Sequence, residues 1–471
     1  MMRPGAMRET DVAVVGAGPA GLAAALAAAE AGARVTLLDE SATPGGQYFR
    51  HPPASFTVSR TLAGRQHARG ERLVEAVTGA GVAWRPGTLV WDVFDERGLM
   101  LYGDGRSEAL RAGAIVLATG AYDRPVPFPG WTLPGVMTAG AAQTLVKGHG
   151  VLPGRRVLLA GSGPFLLPVA QQLVHGGARV AGVLEATGPG EWWPHAPALR
   201  GQWARLGEAW DYLGTLRRAR VPVRFRRKVV AVRGGTAVEA AVVARVDRDW
   251  RAVPGTEEVV EADAVAIGYG FLPSLELADA CGCALRWSAI GETWLVEVDA
   301  RLLTSRPGIF AAGEITGIGG AALALEEGRL AGLGAAEHVG RLPATRAEAA
   351  RRAAGPRLTG LRRFARMLDV LFAPRPGLWE GLADATVVCR CEEVTAGEIR
   401  ARVAAGCTTP KQVKDWTRAG MGLCQARVCG AVVSRLVAEG TGTAIEAVPR
   451  GTVRPPIKPV PLGVLAETEV P

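Results

Sequence analysis

The hydrophobic and polar positions near the N-terminus predict a strand, a loop, a helix and a second strand, in that order. An apolar run at residues 12–15 leads into a glycine-rich loop and an alanine-rich segment from about residue 19 to residue 31, and residues 35–38 form a second apolar run. Short apolar runs bounded by glycine are typical of buried strands, whereas alanine favours helix. This alternation predicts an α/β fold with a parallel sheet.

The same pattern recurs at residues 156–185, and we find no other internal repeat. We therefore predict two nested Rossmann-like dinucleotide-binding domains. The first would comprise residues 1–145 and 266–345, and the second residues 146–265. A helical connector is predicted at 346–384, a small α-rich domain with clustered cysteines at 385–440, and a proline-rich, extended tail at 441–471.

Composition narrows the class of protein. The 471 residues carry a formal charge of +9, but the basic side chains are dispersed, so nucleic-acid binding is not predicted. An acidic protein partner or an anionic nucleotide explains the sign equally well. Neither a membrane-spanning apolar run nor a secretory signal is evident, which favours a cytoplasmic protein with at most peripheral membrane contact.

The first glycine loop carries the pattern of a dinucleotide site. A first glycine allows the tight turn, a second lets the backbone approach a pyrophosphate, and a third lets the helix pack on the strand. The predicted contact residues in this loop are Gly16, Gly18, Pro19, Ala20 and Gly21. Asp39, at the end of the second strand, is the expected ribose-binding carboxylate, with Glu40 as the alternative.

Later segments indicate which dinucleotide binds. They are Gly45, Gly46 and Gln47 after the acidic residue, Ala118, Thr119 and Gly120 at the end of a strand, and Gly313 and Glu314 at the end of another. This set resembles the two-dinucleotide-domain flavoproteins, the group that includes glutathione reductase. The resemblance implies FAD as the cofactor, with Glu314 holding its ribitol where the family usually has aspartate.

The second glycine loop departs from the pattern. Gly161 and Gly163 are present, but Leu166 replaces the third glycine, and Glu185 ends the following strand. A carboxylate at that position favours a free ribose hydroxyl over a phosphate. The loop therefore predicts either a site for NAD or another adenine nucleotide, rather than NADP, or a structural relic.

Four of the seven cysteines lie in one segment and are candidate metal ligands. They are Cys389, Cys391, Cys424 and Cys429. Four thiolates suit a [2Fe-2S] cluster, while a four-cysteine zinc site is the alternative. Cys407 fits neither pair and is expected to be structural, as are Cys281 and Cys283. The sequence has no C-x-x-C motif, which argues against disulfide reduction.

The cysteine segment, including residues 417–422, resembles the bacterioferritin-associated-ferredoxin type of [2Fe-2S] domain. With the flavoprotein portion, nearly the whole chain is similar to the α (A) subunits of heteromeric bacterial amine dehydrogenases. These include opine oxidases, D-hydroxyproline and proline dehydrogenases and hydrogen cyanide synthase. The resemblance implies an electron-relaying subunit with a second flavoprotein (β) subunit, and a small ferredoxin-like subunit as a further candidate partner.

Two other functions stay open on the sequence. One is a self-contained NADH-dependent reductase that passes electrons to its own cluster, and the other is a nucleotide-binding scaffold for a catalytic partner. No catalytic constellation is recognisable, and His51, the one histidine close to a motif, is expected to be a loop residue.

Overall fold

The computed structural model describes residues 7–50 and 60–467. The strands in these ranges are β1 Arg8–Val15, β2 Val35–Leu38, β3 Ala83–Arg85, β4 Leu89–Phe94, β5 Gly98–Gly103, β6 Arg106–Leu117, β7 Ala121–Asp123, β8 Val136–Thr138, β9 Arg156–Gly161, β10 Arg179–Glu185, β11 Val223–Phe225, β12 Arg227–Arg233, β13 Ala240–Arg245, β14 Glu258–Glu261, β15 Ala264–Gly268, β16 Phe271–Pro273, β17 Leu285–Ser288, β18 Thr293–Val296, β19 Ile309–Ala311, β20 Val387–Cys389 and β21 Val394–Thr395.

The α-helices in the same ranges are α1 Pro19–Glu30, α2 Arg60–Gly79, α3 Ala139–His149, α4 Leu166–His175, α5 Trp203–Arg218, α6 Glu276–Ala280, α7 Ala321–His338, α8 Ala344–Leu371, α9 Ala396–Ala404, α10 Pro410–Thr417, α11 Gly430–Thr441 and α12 Leu462–Glu467. Short 3₁₀ segments occur at Pro189–Leu199, Pro376–Leu378 and Ile445–Ala447. No described helix is both long and apolar enough to cross a membrane.

The first sheet has the order β3-β2-β1-β6-β5-β4. Strands β1, β2, β3 and β6 run parallel, whereas β4 and β5 form an antiparallel extension. The long strand β6 pairs with β5 along its first half, and its last three residues pair with β19. Chain segments more than 190 residues apart thus build one sheet, as the nested arrangement predicts.

The second sheet is entirely parallel, with the order β11-β10-β9-β15-β8. Helices α4 and α5 connect its adjacent strands, which is the doubly wound arrangement. Strand β8, Val136–Thr138, belongs to this sheet although it precedes residue 146. Helix α3 packs on α4 in the same core, so this unit starts earlier along the chain than the hydrophobic pattern indicates.

Two chain crossings join the two units. Strand β7 leaves the first unit and pairs antiparallel with β16, which returns to it. After the return, α7 packs tightly on α1, and the 28-residue helix α8 packs against α7 and the 3₁₀ segment Pro189–Leu199. The connector predicted at 346–384 is thus mostly one long helix.

The cysteine-bearing unit has its own small core, built from β20, β21, α9, α10 and α11. Thr395 caps α9, in a reciprocal capping box with Glu398. The unit is anchored to the second unit because the Trp131 indole N–H donates to the Val387 carbonyl at 2.6 Å. It also contacts the first unit, where Arg427 pairs with Glu276 at 2.8 Å.

The proline-rich tail packs along the first unit. Ile457 is buried, and its N–H donates to the Trp91 carbonyl at 2.7 Å. The Gln425 side chain donates to the Pro456 carbonyl at 3.1 Å, and Arg427 to the Ile457 carbonyl at 3.1 Å. The tail therefore ties the cysteine-bearing unit to the edge of the first sheet.

Candidate flavin and iron-sulfur sites

The first glycine loop leaves no room for side chains at its first and third glycines. Gly16 has φ +104°, and a Cβ there would lie 2.3 Å from the Ala118 carbonyl oxygen. A Cβ on Gly21 would lie 1.6 Å from the Gly16 carbonyl oxygen. Both glycines are therefore required by the protein's own packing, which brings β1, α1 and the end of β6 into contact.

The second glycine of this loop is different. A Cβ on Gly18 would come no closer than 3.9 Å to a protein atom, the Gly46 Cα, so the fold itself tolerates a side chain there. Gly18 is the N-cap of α1, and no side chain caps this helix end or places an acidic group in its first turn. The exposed amides and the positive end of the helix dipole suit a pyrophosphate, so the residues present fit a dinucleotide.

Asp39 lies against the loop and Glu40 does not. The Asp39 carboxylate accepts hydrogen bonds from the Ala17 N–H at 2.5 Å and the Ser41 N–H at 2.7 Å. Glu40 is exposed and forms an ion pair with Lys458 of the tail. Of the two carboxylates proposed for the ribose, the structure therefore places Asp39 beside the loop.

The turn at Gly45 and Gly46 packs directly on the loop. The Gly45 N–H donates to the Ala17 carbonyl at 2.8 Å, and a Cβ on Gly46 would lie 2.7 Å from the Gly18 Cα. The Gln47 side chain points away and accepts a hydrogen bond from Arg50 at 3.0 Å. His51 lies outside the described residues.

Residues 118–120 close the other side of the loop. The Ala118 N–H donates to the Val15 carbonyl at 2.9 Å, and the Thr119 hydroxyl donates to the Ser274 carbonyl at 2.7 Å. Gly120, with φ +72°, accepts from the Ser274 N–H at 2.9 Å. This segment joins the loop to both chain crossings.

Glu314 lies in the loop between β19 and α7. Its carboxylate accepts a hydrogen bond from the Gly320 N–H at 2.8 Å. Burial raises the pKa of Glu314 to about 7, although the hydrogen bond from Gly320 opposes that rise, and the negative charges of Glu327 and Asp369 add to it. Gly313 lies against Ala20, since a Cβ there would be 3.0 Å from the Ala20 Cβ. The structure thus brings this late strand to the first glycine loop.

The contact between α7 and α1, which brings β19 to the first glycine loop, was not predicted from the sequence. Helix α7 carries two glycines four residues apart, Gly328 and Gly332. At both positions the backbone of α7 is in close contact with the backbone of α1. A Cβ on Gly328 would be 2.0 Å from the Ala20 carbonyl oxygen, and one on Gly332 would be 2.2 Å from the Ala24 carbonyl oxygen. The signal in the sequence is the spacing of small residues in the segment 328–332, which lets two helix backbones approach closely.

A buried lysine beside the Gly45–Gly46 turn also escaped notice. Lys147 of α3 donates to the Tyr48 carbonyl across the boundary between the two units. Burial lowers the pKa of Lys147 to about 8, and the positive charge of Arg50 contributes. No motif in the sequence marks this residue.

The Glu185 carboxylate lies against the second glycine loop, as the Asp39 carboxylate lies against the first. Glu185 is buried, and it accepts hydrogen bonds from the Gly163 N–H at 2.9 Å and the Thr187 N–H at 2.8 Å. Burial raises the pKa of Glu185 to about 7, although these backbone hydrogen bonds oppose that rise. Helix α4 starts five residues after Gly161, whereas α1 starts three residues after Gly16. The loop therefore has a different shape from the first.

An aromatic side chain lies beside the second glycine loop. Phe372, which follows α8, is 3.8 Å from the position of a Cβ on Gly163. Trp192 packs edge-on against Phe372, with ring centroids 5.4 Å apart. The positive φ also falls on Gly163, at +113°, rather than on the first glycine. These residues fit a nucleotide poorly, which favours the structural role.

The four predicted ligand cysteines come together from two distant turns. The Cys391 and Cys424 sulfurs are 3.9 Å apart. Cys429 interacts with Cys389 and Cys424. Cys389 and Cys429 are buried, whereas Cys391 is exposed. The close pair takes one cysteine from each turn. No three His, Cys, Asp or Glu side chains in the described ranges form a preformed single-ion site.

Backbone packing around the thiols is tight. A Cβ on Gly422 would lie 2.1 Å from the Cys391 Cβ, and one on Gly420, with φ +90°, would lie 3.9 Å from the Cys429 sulfur. Helix α11 begins immediately after Cys429, with no acidic residue in its first turn. Its positive end therefore favours a thiolate at Cys429.

The electrostatics of the thiols fit a cationic centre. Burial raises the pKa of the Cys429 thiol far above its ordinary value, and the nearby Cys389 and Cys424 add to the effect. Burial and the proximity of Cys424 likewise raise the pKa of Cys391. Four neighbouring thiolates repel one another, and iron ions among them reverse that repulsion. Cys407, by contrast, is buried in the hydrophobic core of this unit, as expected, and Cys283 in that of the first unit.

Two nested dinucleotide folds, a glycine loop suited to a pyrophosphate and a four-cysteine unit define a flavin-type oxidoreductase with an iron-sulfur domain. Comparison with known proteins agrees. Residues 10–331 match "Pyridine nucleotide-disulphide oxidoreductase", and residues 387–439 match "BFD-like [2Fe-2S] binding domain". The chain belongs to the pyridine nucleotide-disulphide oxidoreductase family and carries an additional [2Fe-2S] binding domain, and the predicted fold class is confirmed.

Curated relatives match almost the whole chain. The A subunit of opine oxidase from Rhizobium meliloti is 36% identical over 470 residues, which cover 97% of this chain and 87% of the relative. The HcnB subunit of hydrogen cyanide synthase from Pseudomonas aeruginosa is 33% identical over 453 residues, covering 95% of this chain and 96% of the relative. The predicted resemblance to the A subunits of amine dehydrogenases is confirmed.

Solved structures share the fold. L-proline dehydrogenase from P. horikoshii superposes with a TM-score of 0.70 at 20% identity, covering 99% of this chain and 82% of that chain. Thioredoxin reductase from T. acidophilum superposes with a TM-score of 0.51 at 22% identity, covering 70% of this chain and 98% of that chain.

Proposed function

We propose that this chain is the electron-relaying subunit of a heteromeric amine or amino-acid dehydrogenase, in which a second flavoprotein subunit oxidises the C–N bond. The observation that carries the proposal is the presence of a dinucleotide loop and a four-thiol unit in one chain. The A-subunit relatives support the heteromeric arrangement. A small ferredoxin-like subunit is a further candidate partner.

The chain's own residues supply binding and orientation. The amides at the start of α1 would hold the pyrophosphate of FAD, Asp39 the adenosine ribose, and Glu314 the ribitol. Cys389, Cys391, Cys424 and Cys429 would hold the cluster. When bound, FAD exchanges one or two electrons and a [2Fe-2S] cluster exchanges one, which suits a relay.

The alternative of a self-contained NADH reductase receives less support. Such an enzyme needs a nucleotide at the second glycine loop, where Phe372 lies against Gly163 and Leu166 replaces the third glycine. We propose that this second loop is structural and binds neither NAD nor another adenine nucleotide. The scaffold alternative does not explain four converging thiols.

The relay function predicts slow reduction of the isolated chain. When the flavin-loaded chain is mixed anaerobically with NADH, or with D-amino acids, proline, hydroxyproline or opines, we expect no flavin bleaching on the scale of typical turnover, roughly 1–10³ per second. The reason is the altered second loop and the lack of a recognised catalytic constellation. Stopped-flow absorbance of the flavin band measures the rate.

Photochemical reduction of the same sample is the control, because it reduces the flavin without a substrate site. After it, electrons should appear on the cluster by electron paramagnetic resonance. Rapid bleaching by NADH would contradict the relay proposal and support the reductase. Rapid bleaching by an amine would show that the chain oxidises substrate alone.

The raised pKa of Glu314 predicts pH-dependent FAD binding. The carboxylate can accept ribitol hydroxyls, whereas the protonated acid does so less well. The contribution of Glu314 to the stability of the flavin-free chain is present below its ordinary pKa of 4.5 and is lost as the pH rises through about 7. FAD binds better to the ionised carboxylate, so its affinity has the opposite pH dependence. The affinity should rise about tenfold from about pH 6 to pH 8.

Equilibrium titration with FAD at several pH values measures this dependence. Glu314→Gln keeps the side-chain size and removes the titration, so it should flatten the profile. Glu327 and Asp369 are the neighbouring acids, and their charge would broaden the transition. An unchanged profile in Glu314→Gln would remove Glu314 from the flavin site.

A further inference from the structure

Helix α5 exposes a stripe of large apolar side chains. The exposed fractions are 73% for Trp203, 37% for Leu206, 81% for Trp210 and 43% for Leu213. The opposite side of α5 is buried through Thr215 and Leu216 and packs on α4. Large aromatic side chains that are this exposed indicate a contact surface. Each can bury about 150–250 Å² of its surface when a partner binds.

The spacing of the stripe specifies the kind of partner. Its members recur at intervals of three, four and three residues, and Arg217 continues the series after four more. This is the a/d heptad spacing by which one helix packs along another. At 3.6 residues per turn, the four members fall within about 80° of the helix circumference, so the apolar face is narrow. A helix lying in a membrane interface has a much broader apolar face.

Charge indicates a different chain rather than a second copy. The stripe ends in a basic segment in which Arg217, Arg218 and Arg220 are all exposed. The whole chain carries a charge of +9, so two copies repel each other, whereas an acidic partner is attracted. The surface therefore complements a helix with an apolar stripe and acidic residues near one end.

We propose that the α5 stripe docks such a helix of the partner flavoprotein subunit. The inference rests on the proposed heteromeric function and adds the surface that the partner contacts. Trp210 is the central, most exposed member, which is the position where interface energy usually concentrates.

The test uses the full-length chain, tagged and isolated together with its second flavoprotein subunit from cells that make both. Trp210→Glu places a carboxylate in the stripe without disturbing the core. We expect binding of the purified second subunit to weaken about 30-fold or more, the hot-spot threshold of about 2 kcal/mol converted to affinity. Trp416→Glu is the matched control, because Trp416 is 68% exposed on α10, in the cysteine-bearing unit.

Native mass spectrometry and titration of the two subunits give the readout, and amide exchange of residues 203–218 should slow in the assembly. Wild-type affinity in Trp210→Glu, or equal loss in Trp416→Glu, would overturn the docking surface alone. If the wild-type chain self-associates and Trp210→Glu abolishes this self-association, the stripe is assigned to a second copy of the chain instead. Binding of phosphatidylserine vesicles lost in that variant would assign it to a membrane. If the tagged wild-type chain is isolated without any second flavoprotein subunit, that result would overturn the relay function together with this surface.

Discussion

Replacing Cys424 by alanine should remove the iron-sulfur cluster and leave the flavin bound. Cys424 lies 3.9 Å from Cys391, and loss of either sulfur leaves three thiolates for two iron ions. The glycine loop at the start of α1 belongs to a different unit with its own core, so the flavin content should not change. Iron analysis and electron paramagnetic resonance of the anaerobically reduced protein measure the loss.

Cys407→Ala is the matched control for this prediction. Cys407 is a buried cysteine of the same unit, and its removal should cost only about 1 kcal/mol of stability and no iron. One equivalent of zinc with negligible iron in the wild-type protein would contradict the cluster and, with it, the electron relay. Equal iron loss in both variants would indicate unfolding of the unit rather than removal of a ligand.

Replacing Gly18 by valine should abolish FAD binding without unfolding the chain. The backbone at Gly18 has φ −76° and ψ −174°, an extended conformation that valine readily adopts, and the nearest protein atom to a Cβ there is 3.9 Å away. A side chain at this position would displace the pyrophosphate from the α1 amides. Each lost charge-assisted hydrogen bond costs about 1.5–3 kcal/mol, or roughly 10- to 10²-fold in affinity.

The flavin content of purified protein and a thermal unfolding curve test both halves of this prediction. Gly207→Val in α5 is a suitable control, because a Cβ on Gly207 meets nothing within 4 Å. It should retain flavin fully. Normal flavin occupancy in Gly18→Val would place the pyrophosphate elsewhere. Gly21→Val is unsuitable for the test, because its Cβ would collide with the Gly16 carbonyl and disrupt the fold itself.

Local patterns determined much of the flavin and cysteine sites. The apolar runs and glycines at residues 12–38 predicted α1 and β2 almost to the residue and the second half of β1, because turn geometry and helix packing there depend on neighbours in the chain. The clustering of the cysteines likewise predicted the four-thiol unit. The α/β class follows from the same alternation of strands and helices.

Contacts between distant segments could not be predicted in this way. The approach of α7 to α1, the position of Phe372 beside Gly163 and the joining of β8 to the second sheet each depend on residues far apart along the chain. The same holds for the tail that ties Gln425 and Arg427 to the first sheet. The sequence by itself therefore determined the fold class and the candidate ligands, because these follow from local periodicity and spacing. Only the tertiary structure decided what packs against each glycine loop and which apolar helix face stays exposed, since both depend on long-range packing.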